Sequence, residues 1–165
     1  MPDMLVKLYT LPTLAPPLAA LAGAGVTIRP AMAYEKHQVV AWVGRTFSPG
    51  WASECEVAFS RQPVACFIAI ATGQMVGFAC YEATWKNFFG PTGVAEDTRG
   101  RGIGAALLLA CLHAMAAAGY AYAIIGYTAN PAFYTRTVGA IPIPDSTPGA
   151  YPERLAPSPR HDRAS

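Results

Sequence analysis

The sequence predicts a mixed α/β (α+β) domain, in which antiparallel strands come first and strands alternating with helices follow. Two apolar runs, 64–70 and 75–83, are separated by the turn Ala-Thr-Gly-Gln, which is typical of a β-hairpin. A glycine-rich turn then precedes a long apolar helix, and an apolar strand, 120–128, follows that helix. No linker or internal repeat divides the chain, so a single domain over 1–165 is expected.

The composition excludes several classes of protein. The 165 residues are 53% hydrophobic and only 13% charged, with a net charge of +2. Such a small net charge gives no reason to expect a nucleic acid or a membrane surface as partner. No apolar stretch reaches transmembrane length, and Asp3 and two prolines interrupt the signal-like N-terminus, so a cytoplasmic protein is expected. The low charge also favours a covered surface, as in a homodimer.

The first half of the chain is predicted to contain short elements. A strand in the first ten residues is followed by a helix that a proline pair opens and a glycine closes. A short strand at Val26 to Arg29, a helix at Tyr34 to Phe47 and a second short helix near Trp51 follow. About 25 N-terminal residues form a separate N-terminal addition in this interpretation.

The second half is more regular. A third strand, interrupted by Gly90 and Pro91, follows the hairpin and leads into the glycine turn. The helix after it carries a stripe of apolar side chains and stops at Gly119. A short helix begins after Asn130-Pro131, and a last short strand follows Gly139. The tail, 152–165, is polar and is expected to be loose.

The four cysteines show no zinc-type spacing, and no metal is expected. All four fall in predicted helices or strands, which suits reduced, buried thiols. A disulfide between Cys66 and Cys80, across the hairpin, is an alternative that we do not favour.

The glycine turn has the chemistry of a phosphate cradle. Glycines let the backbone approach a ligand closely, and the first turn of a helix offers free amides and a positive dipole end. The candidate donors are the amides from Gly100 to Ala105, with Arg99 and Arg101 adding positive charge.

Two known phosphate-binding loops and a turn that binds no ligand are the alternatives for this segment. A Walker loop is excluded because no Gly-Lys-Ser/Thr follows. A dinucleotide fingerprint nearly fits, but no acidic residue lies between Asp97 and Asp145 to hold a ribose. A tight strand-to-helix connection that binds nothing is the third, and three glycines flanked by arginines disfavour it.

The segment Arg99-Gly100-Arg101-Gly102-Ile103-Gly104 resembles the acyl-CoA-binding signature Q/R-x-x-G-x-G/A of the GCN5-related N-acetyltransferase (GNAT) superfamily. The long helix, the next strand and the ending Phe-Tyr-x-x-x-x-Gly are also similar, and the resemblance covers about Val26 to Ile143. It implies a twisted mixed sheet of six to seven strands with helices on both faces. It also implies acetyl transfer from acetyl-CoA to a primary amine, by direct attack through a tetrahedral intermediate.

The resemblance also implies roles for particular residues. The coenzyme A pyrophosphate would lie on the turn, Arg99 to Ala105 including Ile103 and Gly104, and the pantetheine arm would pair with backbone near Val94 and Ala95. The family's asparagine contact to pantetheine falls on Tyr127 by spacing, so Asn130 is the candidate, with a helix cap as its alternative role. Tyr134 matches the general acid that protonates the departing thiolate. An amphipathic core tyrosine is the alternative.

The acceptor side is less specified. Glu82 is the expected general base, whereas Glu54 and Glu56 could bind a cationic acceptor; a solvated carboxylate is the alternative for all three. Five aromatic residues are weak candidates for the lining of the acceptor pocket: Trp42, Trp51, Tyr81, Trp85 and Phe88. The expected partner is a small-molecule or peptide amine. Two other functions stay open, a non-catalytic coenzyme A-binding or sensor module and a nucleotide-binding oxidoreductase fragment.

Overall fold

The structure, a computed structural model, describes residues 1–156. Its seven strands are β1 (Met4–Lys7), β2 (Val26–Pro30), β3 (Cys66–Ala71), β4 (Gln74–Tyr81), β5 (Phe88–Val94), β6 (Tyr122–Ile125) and β7 (Ile141–Pro142). Its five α-helices are α1 (Ala15–Gly23), α2 (Lys36–Thr46), α3 (Pro49–Phe59), α4 (Ile103–Ala117) and α5 (Pro131–Val138). The predicted order of strands and helices is confirmed, and the boundaries move by a few residues.

The strands form one mixed sheet in the order β2-β3-β4-β5-β6-β1-β7. Only β5 and β6 are parallel neighbours, and every other adjacent pair is antiparallel. β1 lies between β6 and β7, so the N-terminal residues are hydrogen-bonded into the sheet rather than appended beside it. That these residues are an addition to the family fold stays a prediction.

Helices cover both faces of the sheet, as the sequence predicts. A Cβ at Gly77 of β4 would contact Leu107 and Ile103 of α4, at 3.0 and 3.3 Å. The next residue, Phe78, faces the other way and packs in a ring cluster with Trp42, Phe47 and Trp51 of the α2–α3 region. Since successive strand residues alternate between faces, α4 and the α2–α3 pair lie on opposite sides.

Helix α4 is part of the apolar core. Nine residues of α4 are buried, so the helix is apolar on nearly all sides.

None of the described helices is long and apolar enough to cross a membrane. The predicted loose tail falls mostly outside the described residues, and 152–156 have no regular secondary structure.

The cysteines are buried free thiols, as predicted. Cys66 and Cys80 are directly opposite across the hairpin, and their sulfur atoms lie with that of Cys55 within 4.8 Å of one another. Burial raises the pKa of the Cys80 and Cys111 thiols well above the ordinary value, which keeps them uncharged. These thiols therefore pack as small apolar side chains in the core.

Gly93 gives the packing of the ring cluster a direct test. A Cβ there would lie 2.4 to 2.9 Å from ring atoms of Phe47, closer than atoms can approach. Gly93→Ala should therefore destabilise the fold by about 1–3 kcal/mol through overpacking, measured as a fall in the denaturant midpoint. Gly23→Ala is the control because its Cβ meets nothing within 4 Å. Restoration of stability by adding Phe47→Leu would support the clash, and equal stability of the Gly93 and Gly23 variants would contradict it.

Candidate active site

The sheet opens between β5 and β6. These strands pair at only two positions, Phe88 with Ile124 and Phe89 with Ile125. Gly90, at φ +118°, then turns β5 away, although β5 continues to pair with β4 up to Val94. Beyond Gly90, the edge of β5 that faces β6 therefore has no strand partner among the described residues.

A cavity of about 730 Å³ occupies this opening. The residues that line it come from six places: the first half of α3 with its cap, Thr84, the diverging strands β5 and β6, the loop that follows β6, the start of α5 and the C-terminal segment. The residues that carry the arguments below are Trp51, Glu54, Thr84, Phe89, Tyr127, Asn130, Phe133, Tyr134, Tyr151 and Arg154. A cavity of this size, mostly apolar with a few polar groups, is typical of a small-molecule site.

The glycine turn lies at the start of α4 with the geometry expected of an anion cradle. Gly100 and Gly102 have φ values of +79° and +83°, and a Cβ at either would meet nothing within 4 Å. Among residues 1–156, no acceptor receives a hydrogen bond from the amides of Gly100 to Ala105; the first helical bond runs from the Ala106 amide to Gly102. These free amides fit a phosphate group.

The turn adjoins the cavity. A Cβ at Gly104 would lie 3.6 Å from Val94 and 4.0 Å from Phe133, and Phe133 lines the cavity. A ligand that binds its phosphates on the turn can therefore extend past Phe133 into the opening between β5 and β6.

Both arginines of the turn are exposed, and each donates a hydrogen bond to a main-chain carbonyl. Arg99 donates from Nε to the Val94 carbonyl at 3.2 Å, and Arg101 donates to the Ala24 carbonyl at 3.5 Å. Neither joins an ion pair in the part of the chain that the structure describes. Their positive charge is thus available beside the free amides.

Two other residues predicted to contact coenzyme A, Ala95 and Asn130, make hydrogen bonds within the protein. The main-chain groups of Ala95 are engaged within the protein, since its amide donates to Val76 at 2.8 Å and its carbonyl accepts from Thr98. The Asn130 side chain caps α5, accepting from the Phe133 amide at 3.2 Å, and the residue also lines the cavity. Coenzyme A contacts of Val94, Ala95 and Asn130 stay predictions.

Tyr134 lines the cavity from the first turn of α5. Its half-buried ring packs edge-on against Phe133 and Phe89, with centroids 5.0 and 6.4 Å apart. Burial raises the pKa of its phenol above the ordinary tyrosine value. Tyr134 therefore holds its proton at neutral pH, as a general acid must before it acts.

Glu82 does not line this cavity. Its carboxylate accepts a hydrogen bond from the Tyr120 hydroxyl, and its carbonyl accepts two from Arg61, at 3.0 and 3.1 Å. The structure therefore does not bring Glu82 together with Tyr134, and its role as a base stays a prediction without geometric support. Glu54 is the carboxylate that lines the cavity, where it accepts a hydrogen bond from Thr84.

The five aromatic candidates for the lining of the acceptor pocket lie in different places. Trp51 alone of the five lines the cavity. Trp42 and Tyr81 belong to the core, at 9% and 7% exposure, Trp85 is exposed, and Phe88 packs against Tyr151. The structure therefore gives no support for Trp42 and Tyr81 as lining residues of this cavity, although Trp42 lines a second cavity with Arg101.

Sequence reasoning missed Thr84, Tyr151 and Arg154. Thr84 follows β4 in an irregular loop, and Tyr151 and Arg154 lie in a proline-rich stretch with no periodic pattern. No local signal in the sequence indicates that this stretch returns to the opening between β5 and β6.

The sequence profile of the Acetyltransferase (GNAT) family matches residues 35–140. No curated protein matches the chain.

Solved structures share the fold. The GCN5-related glucosamine N-acetyltransferase region of a fungal multi-domain GH3 β-N-acetylglucosaminidase superposes with a TM-score of 0.70 at 16% identity, over 86% of this chain and 19% of that chain. A GCN5-related N-acetyltransferase from Sphaerobacter thermophilus gives 0.62 at 20% identity, over 86% and 48%. An Escherichia coli GNAT family N-acetyltransferase in complex with CoA gives 0.51 at 21%, over 68% and 67%.

The chain spans less than half the length of the first two of these proteins. At such identities the likeness shows the fold, and the profile match, which covers more than half of the chain, shows the family. The chain belongs to the acetyltransferase (GNAT) family.

Proposed function

We propose that the protein transfers an acetyl group from acetyl-CoA to a primary amine. The observation that carries this proposal is the row of free amides at Gly100 to Ala105, which adjoins a cavity containing a protonated tyrosine. The family match supports acyl transfer in general, and the acetyl group and the amine are our additions.

The glycine turn fits the pyrophosphate of coenzyme A. Positive φ values at Gly100 and Gly102 leave open space where other residues would carry a side chain. The amides of this turn and the guanidinium groups of Arg99 and Arg101 would hold the phosphates. The unpartnered edge of β5 beyond Gly90 would accept the pantetheine arm as an added strand.

Bound acetyl-CoA supplies the thioester that the amine attacks. Tyr134, from the start of α5, would give its proton to the departing sulfur. Glu54, from α3, would accept a proton from the incoming ammonium, directly or through water. After the C–N bond forms and the C–S bond breaks, the nitrogen would give its second proton to the Tyr134 phenolate. An amide and a free thiol remain, and Glu54 would release the other proton to water.

Calorimetric titration with acetyl-CoA, repeated with NADH, tests the cradle. Saturable binding of acetyl-CoA alone is expected because no acidic residue lies between Asp97 and Asp145 to hold a nicotinamide ribose. Binding of NADH with no binding of acetyl-CoA would contradict the proposal.

A thiol-release assay with a panel of primary amines tests transfer. Amine-dependent release of coenzyme A is expected. Tight binding with no release for any amine would favour the alternative function, a coenzyme A-binding or sensor module. The homodimer that the low charge favours also stays a prediction, which sedimentation would check.

A further inference from the structure

The acceptor side of the cavity carries two opposite charges that do not neutralise each other. Among residues 1–156, Glu54 and Arg154 are the only charged residues that line it. The described part of the chain contains two ion pairs, Arg29–Glu35 and Lys36–Glu56. Glu54 and Arg154 therefore do not pair with each other. An ammonium and a carboxylate on the same ligand would complement this arrangement.

Tyr151 lies within electrostatic reach of both charges. Burial raises the pKa of its phenol, the Glu54 carboxylate raises it further, and the Arg154 guanidinium lowers it. The Tyr151 ring packs edge-on against Phe88 and Tyr127, with centroids 6.5 and 6.3 Å apart. The ring thus forms an apolar wall near both charged groups.

Asp3 fixes this wall in place. Its carboxylate, 5% exposed, accepts hydrogen bonds from the Tyr127 amide at 2.9 Å and the Ala150 amide at 3.3 Å. Its own amide donates to the Ser146 hydroxyl at 2.9 Å. One buried carboxylate therefore ties the C-terminal segment to the loop that follows β6, which makes the wall a built part of the cavity.

The remaining wall on this side is apolar. Trp51 from α3, together with Pro148 and Pro152 from the C-terminal segment, also lines the cavity. An acceptor held here would expose an apolar group to these residues and its charges to Glu54 and Arg154. A simple amine would place its ammonium group opposite Glu54 but would offer no negatively charged group to the Arg154 guanidinium.

We propose that the acceptor is an α-amino acid with an apolar side chain, its ammonium group facing Glu54 and its carboxylate facing Arg154. This inference rests on the proposed acyl transfer. The ammonium group loses a proton to Glu54, and its nitrogen forms the C–N bond. As the C–S bond breaks, the departing sulfur takes a proton from Tyr134, and the nitrogen returns its second proton to the Tyr134 phenolate. The products are an N-acyl amino acid, with its carboxylate still beside Arg154, and free coenzyme A.

The test compares matched acceptors at saturating acetyl-CoA. Each set contains an amino acid, its carboxamide and the amine without a carboxyl group, built on alanine, leucine and phenylalanine. In at least one set, kcat/KM should be about tenfold higher for the free amino acid, since only it offers Arg154 a carboxylate.

Two substitutions assign that preference to residues. Arg154→Gln should remove the preference through KM and leave the amine lacking a carboxyl group nearly unaffected. Arg136→Gln is the control because Arg136 is exposed on α5 and does not line the cavity. Glu54→Gln should slow transfer to every acceptor, whereas Glu56→Gln, whose carboxylate pairs with Lys36, should not.

The outcomes separate the two proposals. Equal kcat/KM across every set, or a preference that survives Arg154→Gln, would overturn the amino acid acceptor and leave acyl transfer standing. Binding of acetyl-CoA with no acylation of any acceptor would also overturn it. Absence of acetyl-CoA binding would overturn both proposals at once.

Discussion

Gly102→Phe should weaken coenzyme A binding by roughly 100-fold or more, because the new side chain would project into the space that the phosphates need. Gly102 caps α4 in the left-handed region, and nothing within 4 Å would contact its Cβ. Loss of two charge-assisted hydrogen bonds, at about 1.5–3 kcal/mol each, corresponds to that factor or more. Calorimetric titration with coenzyme A measures it directly.

Gly73→Phe is the matched control for backbone strain. Gly73 lies in the β3–β4 turn at φ +75°, close to the +83° of Gly102, and its Cβ also meets nothing within 4 Å. Both variants carry the same penalty for a side chain in the left-handed region, about 1–2 kcal/mol of stability. Only the Gly102 variant should lose affinity. Equal affinities for the two variants would show that the turn does not hold the phosphates.

The order of strands and helices and the glycine turn could be predicted from the sequence because both depend on local patterns. The hairpin follows from two apolar runs around Thr72-Gly73, and the start of α4 follows from glycines before an apolar helix. Free amides at a helix start are a property of the backbone itself. A short segment therefore carries the whole prediction, and the structure confirms the turn and the helix at the predicted residues.

The placement of β1 could not be predicted in this way. Its side chains fit any strand, and its position between β6 and β7 depends on pairings with residues more than a hundred positions away. Asp3 shows the functional consequence. Its carboxylate is buried only because β1 enters the sheet beside the C-terminal segment, so its role as a clamp cannot be deduced from its neighbours in sequence.

That Glu82 acts as the base stays a prediction, and the structure gives it no geometric support for a related reason. A carboxylate near the end of β4 is a reasonable base if the strand continues straight to the thioester. In the structure the backbone of Glu82 turns at φ +53°, and its carboxylate accepts a hydrogen bond from the Tyr120 hydroxyl. Glu54 reaches the cavity because Ser48 caps the start of α3, where its hydroxyl accepts from the Trp51 amide and sets the direction of the helix. Such directions are set by tertiary packing and caps together.

Tyr134→Phe should reduce kcat by roughly 100-fold and leave coenzyme A affinity nearly unchanged, since general acids contribute about 10²–10⁴ to rate. The ring contacts with Phe89 and Phe133 do not involve the hydroxyl, so the variant keeps its packing. Tyr122→Phe is the control, because Tyr122 is exposed and, among residues 1–156, its hydroxyl bonds only to that of Tyr9. A fall in affinity equal to the fall in kcat would assign Tyr134 to binding instead.

The pH dependence distinguishes an acid from a packing residue. A general acid works while protonated, so activity should fall as pH rises through the pKa of Tyr134, which burial places above the ordinary value of 10.0. The wild-type protein should therefore show no loss of kcat from this group between neutral pH and that value. Fluorotyrosine at position 134 lowers the phenol pKa and should move the alkaline limb to lower pH. An alkaline limb that stays in place with fluorotyrosine, or that persists in Tyr134→Phe, would assign the titration to another group.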